Sequence, residues 1–404
     1  MKNKKKDIKL ASNLIFDILR IILVPILWRK YRFRFEYHTS KGITRPCIIL
    51  SNHQTSFDQF VVGSGFRFAM NFFASDSIFR HGLLSKLMIF LAQPIPFSKG
   101  STDASAIIKM FSVLKQGGSV GIFVSGSRSF FGEECTLKPG IGKLVKKTGV
   151  PVVLVKMRGG YNTKPRWKSK PNKGDMRAGV SRVISPEELS AFSSEQLDEI
   201  IMKELYFNEF EWNAAEQIVF KGKHKAEFLE RALFYCPECK SLESLGSKGN
   251  EFFCNKCEMR VIINGTGFFE KINNAGTCPD TILEWSRMQL EHIKSLDFCK
   301  YADKPLFSDS GVRLSSVIRS KKDVTIGKGS VELYSDRLRI CGKDFLIENF
   351  KDMSIQSYNR LMIYMTDGEY TLDMALKGNA VKYMICSYHL KNLMQNTENG
   401  HYGY

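Results

Sequence analysis

The sequence lacks an apolar run long enough to cross a bilayer. A spanning helix needs about 20 predominantly apolar residues. The N-terminal stretch from Leu14 to Trp28 is shorter, carries Asp17 and Arg20, and includes Pro25, which should kink a helix. No small-residue cleavage site follows it, only Trp28 and then Arg29, Lys30, Arg32 and Arg34, which argues against a signal peptide. Acidic charge is also short: 41 Asp and Glu against 59 Lys and Arg leave a formal charge of +18. Such an excess implies an anionic partner, whether nucleic acid, an acidic membrane surface or a phosphorylated substrate. There is no internal repeat, which sets aside solenoids and arrays. The 10 cysteines do not read as a disulfide framework, because a long chain without an export signal points to a reducing compartment, with thiols unpaired or bound to metal.

At 404 residues, with 43% hydrophobic content, the chain has room for about two to three domains and a sizeable core. Lys2, Lys4, Lys5, Lys6 and Lys9 precede the N-terminal apolar stretch. Basic flanks on both sides and a tryptophan at one end suit an interfacial anchor lying on an anionic leaflet. A buried first helix of a soluble domain fits the same residues.

From about residue 45 to 185, apolar strand-like runs alternate with helical patterns. Ile48–Leu50, Met70–Ala74, Gln93–Phe97 and Gly121–Val124 read as strands, and Leu83–Leu91 as a helix with Leu84, Leu87, Met88 and Leu91 at helical spacing. Val150–Val155 is nearly all apolar, as in a strand buried on both faces. The alternation predicts an α/β layered domain with a largely parallel sheet. Residues 159–177 read as a basic surface loop. Ser185-Pro186-Glu187-Glu188 opens a helix, and helical pattern continues with interruptions to about Phe234. Cysteines crowd into 235–270. Beyond Leu296, Val324–Ile326, Ser330–Leu333, Leu338–Ile340, Arg360–Met365 and Tyr370–Met374 read as short strands, closed by a helix at about 378–394.

The most informative segment is Ser51-Asn52-His53-Gln54-Thr55-Ser56-Phe57-Asp58, directly after the apolar run Cys47–Leu50. Five residues along one helix rotate by about 500°, so His53 and Asp58 meet only if the chain bends between them, as in a strand-to-helix turn. Thr55 or Ser56 is then expected to cap the following helix. An Asp holding one imidazole nitrogen leaves the other to take a proton from an attacking hydroxyl. Taken alone, the pair reads more readily as a polar turn in which His53 satisfies backbone groups. Two later strands also end in short polar turns with one cation each, Lys99 in Ile95–Ser101 and Arg128 in Ile122–Ser129. Ligands of open α/β sheets bind outside the carboxyl ends of strands, so Lys99, Arg128 and His53 are expected to converge. Arg128 offers a fork suited to phosphate oxygens and Lys99 a point charge, while Gly126 permits close backbone approach. Gly140-x-Gly142-Lys143 lacks Walker spacing and the Ser or Thr after the lysine, and reads as a glycine turn opening a helix.

These blocks, in this order, resemble the glycerolipid acyltransferases, the family of 1-acyl-glycerol-3-phosphate acyltransferase with its HxxxxD motif. The similarity covers about residues 10–220. It implies His53 as the general base, Asp58 as the group that orients it, and Lys99, Gly126 and Arg128 around the acceptor phosphate. It further implies a thioester donor, acyl-CoA or acyl carrier protein, no catalytic cofactor, and a lysophospholipid or glycerophosphate-type acceptor in phospholipid biosynthesis. The family's third motif usually reads Phe-Pro-Glu-Gly-Thr-Arg-Ser, whereas here it is Phe123-Val124-Ser125-Gly126-Ser127-Arg128-Ser129. The missing proline loosens the turn, and Ser125 replaces a carboxylate tied to the acceptor site, so either the acceptor differs from lysophosphatidate or activity is reduced.

Cys236-x2-Cys239 and Cys254-x2-Cys257 are two knuckles 14 residues apart, the spacing of a closed, structural zinc ribbon. Lys240, Lys248, Lys256 and Arg260 are expected to favour deprotonated thiols. The domains expected are 1–40, a basic N-terminus with a membrane-associated helix; 41–225, the acyltransferase; 226–270, the zinc ribbon; and 300–404, a small β-rich domain. The chain is expected at the cytoplasmic face of the cell membrane. The alternative is an inactive relative serving as a lipid-, protein- or nucleic-acid-binding module. The apolar N-terminus and the ordered motifs argue against nucleic acid.

Overall fold

Strand β-structure in the first half follows from runs that are apolar on both sides. A computed structural model of the chain describes residues 8–75, 79, 83–97, 103–134, 137, 140–272, 276–318 and 322–397. Two compact units result. The first comprises the chain up to Ser129 with Glu133–Thr163 and Lys173–Trp212; the second comprises Phe130–Gly132, Lys164–Asn172 and the chain from Asn213 on.

The first unit carries helices α1 (Asn13–Tyr31), α2 (Asp58–Ser64), α3 (Leu83–Ala92), α4 (Ala104–Lys115), α5 (Ile141–Lys146), α6 (Gly160–Thr163), α7 (Pro186–Ala191) and α8 (Ser194–Leu205). Its strands are β1 (Phe33–Phe35), β2 (Ile48–Ser51), β3 (Met70–Ser75), β4 (Ile95–Phe97), β5 (Ser119–Phe123), β6 (Glu133–Glu134), β7 (Val152–Arg158), β8 (Met176–Ile184) and β9 (Phe207–Asn208). Seven of them form one sheet in the order β1-β8-β7-β2-β5-β3-β4, parallel throughout except between β7 and β8. Successive residues of a strand face opposite sides. On β2, Ile48 and Leu50 join Val120, Ile122, Leu154, Met110 and Ile201 in one core, while Ile49 joins Val153, Phe33, Val61 and Val62 in the other. Each such side chain contributes roughly 1.5–3 kcal/mol on full burial. Both faces being covered explains why β2 and β7 lack polar alternation.

Helix α1 has 19 residues, is capped by Ser12 and runs through Pro25. No helix among the described residues is long and apolar enough to cross a membrane. The serine at 185 and the glutamate at 188 form a reciprocal capping box with Pro186 at the first turn, as the local pattern predicts. At Gly140 the backbone is left-handed, with φ +84°, and opens α5. Gly142 lies where a Cβ would sit 2.1 Å from the Ser194 carbonyl oxygen, so only glycine lets α5 meet α8.

Two expectations are corrected. The basic stretch 159–177 is not a surface loop: Tyr161, Thr163, Lys164, Arg166, Trp167 and Lys168 are buried. Its lysines are accommodated by local acceptors, Lys164 Nζ donating to the carbonyl oxygens of Lys168 at 3.2 Å and of Ser169, and Lys168 Nζ to Asn172 Oδ1 at 2.9 Å, whereas Arg166 donates to the distant Ile355 carbonyl. Burial, and then the charge of Lys164, lowers the Lys168 ammonium to about 8. The last α-helix of this stretch also ends well before Phe234, and a single 3-10 turn at Leu229–Arg231 is the helical structure that follows it. Helix α9 (Glu209–Glu216) is followed by left-handed residues Gln217, His224 and Phe228, and each such residue interrupts a right-handed helix.

In the second unit, β10 (Leu245–Lys248), β11 (Glu251–Cys254), β12 (Arg260–Ile263) and β13 (Phe269–Lys271) form a four-stranded antiparallel sheet, followed by α10 (Ile282–Lys294). The β-rich region comprises β14 (Phe307–Ser316), β15 (Val324–Leu333), β16 (Arg337–Ile340), β17 (Lys343–Leu346), β18 (Phe350–Gln356), β19 (Arg360–Met365) and β20 (Glu369–Asp373). Their order is β17-β16-β15-β14-β20-β19-β18, and α11 (Ala380–Gln395) buries most of its length. Val324–Ile326 and Ser330–Leu333 are halves of the single strand β15. Its Gly327 admits Cys341, whose Cβ would lie 2.9 Å from an added Cβ.

Candidate active site

β2 ends at Ser51 and α2 begins at Asp58, so the chain turns between His53 and its carboxylate. The turn is held from both flanks. The Asn52 side chain exchanges two bonds with the backbone of Met157 on β7, donating from Nδ2 at 2.9 Å and accepting at Oδ1 at 2.8 Å. Gln54 Oε1 accepts from the Gly160 N–H at 2.9 Å.

Asp58 is fully buried, and Nδ1 of His53 lies 2.8 Å from its Oδ2. The same oxygen accepts from the N–H groups of Gln54 at 2.6 Å and Thr55 at 2.9 Å, and Oδ1 accepts from the Thr55 hydroxyl. With three other donors on this carboxyl, the His53 ring is the donor through Nδ1–H, and Nε2 carries the lone pair. A lone pair there can take a proton from a hydroxyl. Thr55 does not cap α2 as expected, and neither does Ser56: the cap residue is Phe57, without a side-chain bond. Thr55 instead donates to Asp58 and accepts from the Phe57 N–H at 3.3 Å, because the Asp58 carboxyl folds back over the turn.

The imidazole stacks on Phe123 at a centroid distance of 4.3 Å and an interplanar angle of 17°, and Phe72 stacks on Phe123 in turn. Gly121 makes room for this, since a Cβ there would lie 2.4 Å from the Phe72 ring. The loop after β5 runs beside the turn because Ser51 and Phe123 are in register. Val124 N–H donates to the Ser51 carbonyl and Ser129 N–H to the His53 carbonyl, both at 3.1 Å. Gly126 adopts φ +67° in a tight turn closed by its own N–H on the Phe123 carbonyl at 3.1 Å. Arg128, half-buried, is thus one residue from a backbone bond to His53. Lys99 lies outside the described residues, two positions past the end of β4.

One carboxyl went unnoticed in the sequence. Glu134 on β6 is buried, and its Oε1 accepts from the His53 N–H at 3.3 Å. Burial pushes this carboxyl up to about 8; the Ser125 hydroxyl and the His53 N–H pull it down, and the charge of Asp58 adds to the rise. Ser125, where the resemblance implies a carboxylate, has the Glu134 carboxyl beside it. No local signal marks Glu134, because its partner is 81 residues away.

In the second unit, Cys236, Cys239, Cys254 and Cys257 bring four sulfurs within 4.8 Å of one another. The Cys236–Cys257 and Cys239–Cys254 separations are both 3.7 Å. A tetrahedral thiolate site with metal–sulfur bonds of about 2.3 Å has edges of about 3.8 Å, so the cluster could hold a structural metal. Polar groups face the thiols: Ser241 Oγ lies 3.0 Å from Cys239 Sγ, Ser244 Oγ 3.1 Å from Cys254 Sγ, and the Lys256 backbone N–H donates to Cys254 Sγ at 3.3 Å. Arg260 is engaged by Glu251 at 2.7 Å.

Residues 34–158 match the family model Acyltransferase, a segment that includes His53, Asp58, Lys99, Gly126, Arg128 and Glu134. No curated protein matches the chain. Among solved structures, the 1-acyl-sn-glycerophosphate (LPA) acyltransferase PlsC from Thermotoga maritima is similar with a TM-score of 0.40 and 18% identity, over 47% of this chain and 78% of that one. The chain therefore carries an acyltransferase-type segment of 34–158, less than a third of its length.

Proposed function

We propose that this chain transfers a fatty acyl group from a thioester, acyl-CoA or acyl carrier protein, to a hydroxyl of a lysophospholipid or other glycerophosphate-type acceptor. The observation that carries the reading is the 2.8 Å bond between His53 Nδ1 and the buried Asp58 carboxyl, within the segment that matches the family. His53 Nε2 takes the acceptor hydroxyl's proton, and that oxygen attacks the thioester carbonyl. The C–S bond then breaks, and the departing thiolate is reprotonated by the imidazolium. Arg128 and Lys99 bind the acceptor phosphate. Zinc in the four-cysteine cluster is structural. The reaction takes place at an anionic membrane surface on the cytoplasmic side. Exposed Leu14, Ile18, Ile21 and Ile26 of α1 and Leu83, Leu87 and Phe90 of α3 supply an apolar contact, and the +18 charge supplies the attraction.

The test is purified protein incubated with a labelled acyl thioester and a panel of lysolipids, beside His53→Ala. Wild type should yield labelled diacyl product. The variant should lose about 100-fold or more in turnover while sedimenting with anionic vesicles as before. Equal turnover in the two proteins would remove His53 from the mechanism.

A further inference from the structure

We infer that Glu134 is a positioning residue for His53, its carboxyl serving as the acceptor that holds the His53 peptide and so keeps the imidazole seated on Phe123. Both backbone polar groups of His53 are engaged. The N–H donates to Glu134 Oε1 at 3.3 Å, and the carbonyl accepts from the Ser129 N–H at 3.1 Å. The second of these is backbone to backbone and survives side-chain changes. The first depends on one side chain only.

That side chain is placed with care. β6 is two residues long and pairs antiparallel with β9, Glu133 opposite Asn208 and Glu134 opposite Phe207. The neighbouring Glu133 is tied by the Tyr206 hydroxyl at 2.8 Å. Such a short pairing buries little apolar surface of its own, and its effect is to deliver Glu134 beneath the turn. A backbone N–H left without its acceptor in this part-buried turn is destabilising, because water replaces the lost bond only incompletely. Without the acceptor, the peptide is therefore expected to rotate or shift. The ring would move with it, off the 4.3 Å stack on Phe123 and away from Asp58. Displacement of a reacting group by about 1 Å can cost about 100-fold in rate. What Glu134 supplies is a carbonyl-type acceptor, not a charge. Glutamine keeps that acceptor, leucine removes it at similar volume, and aspartate withdraws it by one methylene.

The kinetic arm of the test rests on the acyl-transfer reading, so a second arm does not. With protein labelled with 15N at histidine, amide hydrogen exchange at His53 is followed in wild type, Glu134→Gln, Glu134→Leu and Glu134→Asp. Exchange should quicken by about tenfold or more in the leucine and aspartate variants and stay within about threefold in the glutamine variant. At saturating donor, kcat should fall by about tenfold or more in the same two variants, with KM within about twofold and with glutamine restoring turnover. If Glu134→Leu does not fold, Glu134→Asp carries the comparison. Wild-type exchange in a folded leucine or aspartate variant would overturn the assignment, as would a folded glutamine variant as impaired as leucine. An exchange pattern as expected with no acyl transfer in wild type would leave Glu134 in this role and overturn the acyl-transfer reading instead.

Discussion

Asp58 illustrates how much one side chain can organise. It collects His53 Nδ1–H, two backbone N–H groups and a hydroxyl, so the carboxylate is fixed before it orients anything. The spacing of His53 and Asp58 was legible because both lie in one eight-residue turn. Glu134 was not, because its role comes from a strand pairing and a contact across 81 residues. Its burial has a consequence for stability. A carboxyl raised from 4.5 to about 8 in the folded state binds its proton more tightly there than in the unfolded chain. Between those values the folded state holds more protons, so stability falls as pH rises. The full penalty, on the order of a few kcal/mol, is in place above the folded value and absent below 4.5. Thermal midpoints of wild type and Glu134→Gln should thus diverge progressively from pH 5 to about 8, the glutamine variant gaining. A constant difference across that range would show that the carboxyl titrates normally.

Among elements, the strands built from continuous apolar runs, β2, β3, β5 and β7, were readable from composition alone. β14, with Ser308, Ser310, Ser315 and Ser316, has loop-like composition and is a strand only because β15 and β20 pair with it on both sides. Helix α1 resembles neither a spanning segment nor an ordinary core helix. Gly63 of α2 brings the Phe16 ring to 3.2 Å from where a Cβ would stand, which fixes one face of α1. Ile21 on α1 is 71% exposed and Phe90 on α3 is 63% exposed. An apolar side chain of this size gains roughly 1.5–3 kcal/mol on burial. Replacing Ile21 with Glu should therefore weaken binding to anionic vesicles by about tenfold or more in a flotation assay. The thermal midpoint should barely move, since an exposed substitution changes stability by about 0.5 kcal/mol or less. Unchanged flotation would mean that this face does not meet lipid.

At the scale of the whole chain there are two compact units. In the second, Trp285 packs edge-on against Phe252 and Phe269 and donates from Nε1 to the Tyr235 carbonyl at 2.7 Å, immediately before Cys236. The strands between the cysteine pairs are four residues each, too short to hold a core alone. Structural zinc contributes about 10–16 kcal/mol to the folding of comparable finger peptides. Removing metal with a strong chelator should therefore red-shift and quench Trp285 emission and lower the midpoint of the transition that reports on the four-cysteine segment, with recovery on adding zinc. A Trp285→Phe control identifies the signal, and emission unaffected by chelation would count against a structural metal.

What the sequence determined by itself is local: apolar runs that must be buried, a capping box at Ser185 and Glu188, two cysteine knuckles, and a histidine and aspartate separated by one bend. Each depends on residues a few positions apart, where spacing alone dictates geometry. The tertiary structure decided the rest. It set Phe123 under His53, Ser129 on its carbonyl and Glu134 on its N–H, and it drew the cations Lys164, Arg166 and Lys168 inside. These contacts depend on which distant segments become neighbours in a sheet, and that choice rests on the burial of the whole core and is not written in any single window of the chain.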